Sequence, residues 1–197
     1  MFYNSKSKEI LIVHSYEPTY SWVRDVNIGL QNTFVKDKRF QVRYLYMDTK
    51  RHPEPEFVRN AGLVARRIIG AIQPKVIVCI DDNAQKHVGQ FYVNDPKISV
   101  VFAGVNADHT KYGYDKAKNI TGILERLPLA GLRDTLYILA RQRRIPETQY
   151  INVAHISDNS ETVLSDDAYM HNFNDWGRIN LEKSLLVGTF DEWKTAI

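Results

Sequence analysis

Short apolar runs alternate with longer segments of helical periodicity along the first 125 residues. Continuous apolar runs bounded by turn residues are typical of strands that are buried on both faces of a sheet. The pattern predicts three such strands, at Ile10–Val13, Val76–Ile80 and Ile98–Ala103. It also predicts a strand of alternating pattern over Phe40–Tyr46 and a short strand over Ile120–Leu124.

The segments between these strands repeat apolar residues at spacings of three and four, which predicts helices. They are the segment from Val23 to Phe34, Phe57–Ile72 with Leu63 on its inward face, and Ala84–Tyr92. Residues Ala107–Lys118 are polar and rich in tyrosine, which predicts a surface loop. Alternating strands and helices predict a parallel sheet, and right-handed crossovers then give a doubly wound, flavodoxin-like α/β fold.

The same pattern begins again after residue 125, so we predict an N-terminal α/β lobe over residues 1–125 and the start of a second α/β lobe over residues 126–197. The predicted elements of the second lobe are a helix over Leu129–Arg144, a strand over Ile151–Ile156, a helix over Ser165–Trp176 and a strand over Leu185–Val187. Leu132, Leu136 and Leu139 are expected to face inward. Two strands are too few to close a doubly wound sheet, so we expect this lobe to be truncated.

Composition narrows the class of protein without identifying it. With 44% apolar and 25% charged residues, the 197-residue chain is typical of a soluble globular protein. The single cysteine excludes a disulfide scaffold, and no apolar run is long enough to span a membrane. A net charge of +3 is too small and too dispersed for a nucleic-acid partner. The polar start at Met1–Lys8 has no leader-like apolar segment, which fits either a cytoplasmic protein or a chain trimmed at its start.

Polar residues that follow the predicted strands are the first candidates for a functional site. In an open parallel sheet, ligands bind beyond the carboxyl ends of the strands. Each of these residues alone is explained equally well as a turn former or a helix cap, but together they favour a crevice for a small ligand. The candidates are Ser15, Tyr16, Asp82, Asn83, Gly104, Asn106, Ser157 and Asp158. Trp22, near Tyr16 and Tyr20, suits either stacking on a ligand ring or covering the start of a helix.

Motifs for catalysis and cofactors are missing from the sequence. The six histidines lack metal-ligand spacing, and no glycine-rich phosphate loop or nucleophile elbow is present, so we predict neither a metal nor a cofactor. Asp81 and Asp82 follow the wrong strand for a phospho-acceptor domain, and Asp82 or Asn83 is more simply a helix cap. A small flavodoxin-like enzyme, in which His14 and Asp82 assist a Ser15 nucleophile, stays open as an alternative.

The run Ile10–Pro18, followed by Tyr20 and Trp22, resembles the start of the ABC-transporter substrate-binding-protein-like family. Further segments that resemble this family are Val78–Ala84, Val101–Asn106, Ile120–Glu125 and Val187–Trp193. The pattern is most similar to the sensor domains of bacterial signalling receptors. This resemblance implies the type I periplasmic-binding-protein fold, in which two doubly wound lobes enclose a ligand cleft.

The resemblance also implies a function and a place. It assigns the candidates above to the cleft and adds Glu125 at the crossing between lobes. It implies an extracytoplasmic (periplasmic), non-enzymatic domain that closes over a small solute, an amino acid among the candidates, and works with a membrane receptor module. A stand-alone binding protein that serves an ABC permease is the alternative, and a homodimer stays open. The ligand's charge is ambiguous, because Asp82, Glu125 and Asp158 suit an amine while Lys50 and Arg51 suit an acid.

Overall fold

The computed structural model describes residues 8–34, 37 and 39–197, so the polar start over residues 1–7 lies outside the described residues. The chain forms two compact units, Met1–Glu125 (unit 1) and Arg126–Ile197 (unit 2). Each unit has its own sheet. The predicted truncation of the second lobe stays a prediction.

Unit 1 is built on a five-stranded sheet. Its strands are β1 (Lys8–His14), β2 (Phe40–Tyr46), β3 (Val76–Ile80), β4 (Ser99–Val105) and β5 (Ile120–Leu124). All neighbouring strands are parallel, and their order across the sheet is β2-β1-β3-β4-β5. The predicted parallel sheet is confirmed.

Helices cover both faces of this sheet. They are α1 (Ser21–Phe34), α2 (Pro55–Ile72) and the short α3 (Asp82–His87). Ile10 and Ile12 of β1 pack in one apolar cluster with residues of α1, whereas Leu11 and Val13 pack in another with residues of α2 and α3. Successive side chains of a strand point to opposite faces, so a strand that is covered on both faces needs an unbroken apolar run. With helices on both faces of a parallel sheet, the predicted doubly wound fold is confirmed.

Three local predictions in unit 1 are wrong. The helix predicted over Ala84–Tyr92 is divided, because α3 ends at His87 and a separate 3-10 turn follows. The segment predicted as a surface loop forms two further 3-10 turns, and it buries Tyr112 and Tyr114, whose rings pack against each other. Leu63 is exposed, since the buried face of α2 is formed by Val58, Gly62, Ala65 and Ile69 instead.

Unit 2 has two parallel strands and three helices. They are α4 (Leu129–Gln142), β6 (Ile151–Asp158), α5 (Glu161–His171), β7 (Ile179–Val187) and α6 (Phe190–Ala196). Its main core cluster joins Ala140, Ile151 and Ile179. The inward orientation predicted for Leu132 and Leu139 is wrong, because both are exposed. The predicted helix over Ser165–Trp176 is shifted toward the N-terminus, and the last strand begins earlier than predicted.

Across the described part of the chain, no helix combines the length and the apolar character needed to span a membrane.

Candidate functional site

The strand order of unit 1 defines one place where the connections leave the sheet in opposite directions. β1 and β3 are neighbours in the sheet, but the chain after β1 enters α1 on one face and the chain after β3 enters α3 on the other. Such a switch point leaves a crevice beyond the carboxyl ends of the strands. The polar residues after β1 and β3 therefore lie side by side.

Ser15 joins the two sides of this switch point. Its hydroxyl donates to the carbonyl of Ile80, at 3.0 Å, and accepts from the backbone N–H of Ala84, at 2.8 Å. The backbone carbonyl of Ser15 accepts from the Thr49 hydroxyl, which in turn accepts from the Asn83 side-chain amide. Ser15 is only 1% exposed, so its direct role is to hold the ends of β1, β2 and β3 together.

Asp81 is the most constrained residue of the site. It caps α3, which corrects the prediction that Asp82 or Asn83 is the cap. Its backbone lies at φ 71° and ψ 166°, a region that is essentially reserved for glycine and costs about 1–3 kcal/mol in other residues. Such strain persists only where the surrounding structure enforces it, and it is concentrated at functional sites.

The Asp81 carboxyl is also electrostatically unusual. Burial raises its pKa to about 6, although the nearby hydroxyls of Tyr16 and Ser15 act in the opposite direction. The Tyr16 hydroxyl donates to Asp81 Oδ1 at 2.8 Å, so this buried acid fixes the Tyr16 ring. The candidate site therefore contains an acid whose pKa is held well above that of an exposed aspartate by burial.

Three aromatic rings form a cluster above Asp81, made of Tyr16, Tyr20 and Trp22. Tyr16 meets Tyr20 edge to face at 5.6 Å between ring centroids and meets Trp22 at 6.3 Å. Lys50, from the loop after β2, places its ammonium 5.4 Å from the Tyr16 ring centroid and 5.6 Å from that of Tyr20. This aromatic cluster is the part of the site that best suits stacking on a solute.

Gly104 lets the aromatic cluster reach the end of β4. It has φ +63°, and a Cβ at this position would lie only 2.7 Å from two ring carbons of Trp22. The same Cβ would lie 3.6 Å from Glu125 Oε2, so the end of β5 meets this cluster too. Glycine is needed at this position for both its backbone conformation and its lack of a side chain.

Asp82 joins α3 to the end of β4 and the loop after it. Its carboxylate accepts from the backbone N–H groups of Asn106 and Ala107, at 3.0 and 3.2 Å, and from the Tyr112 hydroxyl at 2.7 Å. Asp82 is buried. This network orders the loop that presents Asn106, and it explains why Tyr112 is inside the fold.

The enzyme constellation of Ser15, His14 and Asp82 is not assembled. His14 points to the α1 face, where its Nε2 lies 2.9 Å from Asn27 Oδ1, and burial lowers its pKa to about 4. Ser15 points toward α3 on the other face, and the Asp82 carboxylate is occupied at the end of β4. Within the described residues, no group of three or more His, Cys, Asp or Glu could hold a metal ion.

Seven of the sequence-predicted residues thus meet in one contact network at the carboxyl ends of the unit 1 strands. Glu125 lies next to this network, beside Gly104. The seven are Ser15, Tyr16, Trp22, Asp82, Asn83, Gly104 and Asn106. Ser157 and Asp158 lie in unit 2, at the end of β6, where Asp158 accepts from the backbone N–H of Ser160.

The predicted set omitted Asp81, Thr49, Tyr112, Tyr20 and Lys50. Two of them had a usable signal, because Asp81 directly follows β3 and Thr49 lies in the turn three residues after the end of β2. Tyr112 had none, since it lies 30 residues from the carboxylate it binds.

Unit 2 holds a second polar cluster, between α5 and the β6–β7 sheet. Asp167 Oδ1 lies 2.8 Å from His155 Nδ1, and Ser184 donates to the same oxygen at 2.5 Å. His171 Nε2 lies 3.1 Å from the Ser184 hydroxyl and 3.7 Å from Asp167 Oδ2. Asp167 therefore does not orient His171 through its other ring nitrogen, as a nucleophile–base system requires.

Comparison with known proteins bears on the fold. No protein-family model matches the sequence, and no curated protein matches it significantly. Solved structures do match. A solute-binding protein of an ABC transporter from Rhodopseudomonas palustris BisB5, in complex with 3,4-dihydroxybenzoic acid, is 14% identical with a TM-score of 0.52. The match covers 92% of the present chain and 47% of that protein.

Two further matches come from R. palustris. A solute-binding protein in complex with benzoate is 10% identical, with a TM-score of 0.58 over 97% of the present chain and 51% of that protein. A protein described as an extracellular ligand-binding receptor is 12% identical, with a TM-score of 0.54 over 93% and 47%. The present chain spans about half the length of these structures, which share its fold.

Proposed function

We propose that this chain, which has the fold of type I solute-binding proteins, binds a small solute at the crevice formed by the carboxyl ends of the unit 1 strands. The observation that carries the proposal is the switch point between β1 and β3. There a strained, buried Asp81 fixes Tyr16, and Gly104 admits the ring of Trp22. Strained backbone and a fixed aromatic surface are typical of a prepared binding site.

The proposed solute class is supported by what two proteins of the same fold bind. Two of the matched structures hold 3,4-dihydroxybenzoic acid or benzoate. An aromatic cluster that offers both ring edges and ring faces suits a planar aromatic solute. We therefore propose a small aromatic acid of the benzoate type. The amino acid and the homodimer expected from the sequence stay predictions.

The cellular role is proposed in two forms. A matched protein described as an extracellular ligand-binding receptor supports an extracytoplasmic sensing domain, in which closure over the solute shifts an equilibrium that a receptor module reads. The solute-binding proteins of ABC transporters among the matches support delivery to a permease instead. Solute binding without chemistry is common to both forms, and the Ser15 hydroxyl, buried and hydrogen-bonded, supports the absence of catalysis.

Isothermal titration calorimetry tests the proposal. We expect a saturable, single-site heat when benzoate, 4-hydroxybenzoate or 3,4-dihydroxybenzoate is added to the 197-residue chain. Trp22→Leu removes the ring while keeping an apolar side chain, and it should weaken binding by about tenfold, or about 1.4 kcal/mol.

Trp193→Leu is the matched control, because Trp193 belongs to unit 2, where it stacks on Phe190. This variant should bind as the original chain does, and circular dichroism confirms that both variants fold. The proposal fails if none of the three acids binds, or if the two tryptophan variants weaken binding equally.

A further inference from the structure

The charges around the crevice of unit 1 are not equally available to a solute. Asp82 is buried and accepts three hydrogen bonds from the end of β4 and the loop after it. Asp81 is buried beneath Tyr16. Of the three acids that suggest a cationic solute in the sequence, Asp82 is therefore occupied by the protein itself.

The two basic residues after β2 differ from each other. Arg51 forms a two-pronged ion pair with Asp48, at 2.7 and 2.6 Å, so its charge is neutralised locally. Glu17, which is buried nearby, also acts on Arg51 and helps to raise its pKa. Among the residues that the structure describes, Lys50 makes no ion pair with a carboxylate, and its contacts are the ring faces of Tyr16 and Tyr20.

The rings beneath Lys50 are themselves held in place. The Tyr16 ring is fixed by its hydrogen bond to Asp81 and by its edge contact with Tyr20, so both ring faces under the ammonium are fixed. An ammonium has three N–H donors, and those that point away from an aromatic face beneath it stay available for an anion. The position lies beside the aromatic cluster on which a planar solute would stack.

Building on the proposed function, we propose that Lys50 selects the charge of the solute: its ammonium pairs with a carboxylate on an aromatic solute that stacks on the aromatic cluster. Benzoate, benzamide and benzamidine have the same ring and a planar head group of similar size, with charges of −1, 0 and +1. The three compounds therefore isolate the effect of charge from the effect of shape.

The test measures the affinity of each probe by calorimetry for the original chain and for Lys50→Met, which keeps an apolar stem and removes the charge. The original chain should bind benzoate about tenfold more tightly than benzamide, with benzamidine weakest, since a charge-assisted hydrogen bond is roughly twice as strong as a neutral one. Lys50→Met should remove the preference for benzoate and leave benzamide unchanged. Lys50→Arg should retain the preference, and Lys50→Glu should reverse it.

Lys194→Met is the matched control, because Lys194 also lies over an aromatic ring, that of Phe190, but belongs to unit 2. It should change none of the three affinities. If benzamide or benzamidine binds as well as benzoate, or if Lys50→Met weakens benzoate and benzamide equally, the role of Lys50 is overturned while solute binding stands. If none of the three probes binds the original chain, the proposed function fails and the role of Lys50 fails with it.

Discussion

The two units contain the same kind of parallel strands but differ in how much they bury. In unit 1, apolar residues pack on both faces of the five-stranded sheet. All of the largest fully buried side chains in the described part of the chain belong to this unit. In unit 2, two strands and α4 enclose a cluster of three buried residues, while Leu139, Tyr150 and Phe190 are exposed.

The strand ends differ in the same way. In unit 1 the polar residues after the strands are buried and linked across the sheet, as Ser15 and Asp82 illustrate. In unit 2 Asp158 is exposed, and the hydrogen bond to Ser160 is local. A prepared polar site needs neighbouring strands and helices that supply its donors and acceptors, because a buried polar group without partners is costly. The larger core therefore makes the site of unit 1 possible.

The largest expected effect is a difference in stability between variants of the two cores. Ile77→Ala should lower the free energy of unfolding by about 4 kcal/mol, because Ile77 lies on the central strand β3 and the cavity cannot collapse. Ile179→Ala should cost only about 2 kcal/mol, since the smaller core of unit 2 can close around the lost atoms. Urea denaturation combined with amide hydrogen exchange on β3 and β7 measures both.

Ile138→Ala is the control for these two variants. Ile138 is 54% exposed on α4, so its loss should change stability by no more than about 0.5 kcal/mol. An equal or greater cost for Ile179→Ala than for Ile77→Ala would contradict the difference in packing between the units.

The difference also explains which elements are predictable from sequence. Strands β2, β3 and β5 have the bounds that the apolar runs predict, because these residues are apolar wherever the strand is covered. In unit 2, Glu182 and Lys183 lie within β7 and interrupt its apolar pattern, so the sequence predicts only the last part of this strand. Periodicity assigns Leu132 and Leu139 to an inward face, but it cannot tell how many strands a helix has to cover.

The site is predictable in place but not in detail. The position of Ser15 at the end of β1 follows from the pattern, whereas its partner Ala84 lies 69 residues further along the chain. Of two adjacent acids, Asp81 caps the helix and binds Tyr16 while Asp82 binds the end of β4, and neither choice is encoded in a local motif. Roles that depend on contacts between distant segments need the fold itself.

A second prediction concerns the stability that the folded chain loses when the buried carboxyl of Asp81 in unit 1 ionises. Because burial raises the pKa of Asp81 from 3.8 to about 6, the folded chain binds this proton more tightly than the unfolded chain. The stabilising contribution is complete below pH 4 and is lost as the pH rises through 6. Relative to the original chain, Asp81→Asn should therefore gain up to about 3 kcal/mol of stability between pH 4 and pH 7.

Denaturation at a series of pH values between 4 and 8 gives this difference. Tyr16→Phe provides a second measurement, because it removes a hydroxyl that lowers the pKa of Asp81 and should move the transition above pH 6. A difference between Asp81→Asn and the original chain that does not change with pH would show that Asp81 carries no such cost.

The smallest expected effect is local and belongs to unit 2. The seven-residue helix α6 buries no residue, so it depends on its N-terminal capping box, in which Thr189 and Glu192 bond each other's backbone N–H. A helix this short is unstable without such support. Thr189→Ala should cost about 1 kcal/mol and speed amide exchange at Trp193, whereas Thr189→Ser, which keeps the hydroxyl, should not. Unchanged exchange in the alanine variant would mean that contacts other than the cap hold α6, and the contrast between the two units would then be smaller than their buried cores imply.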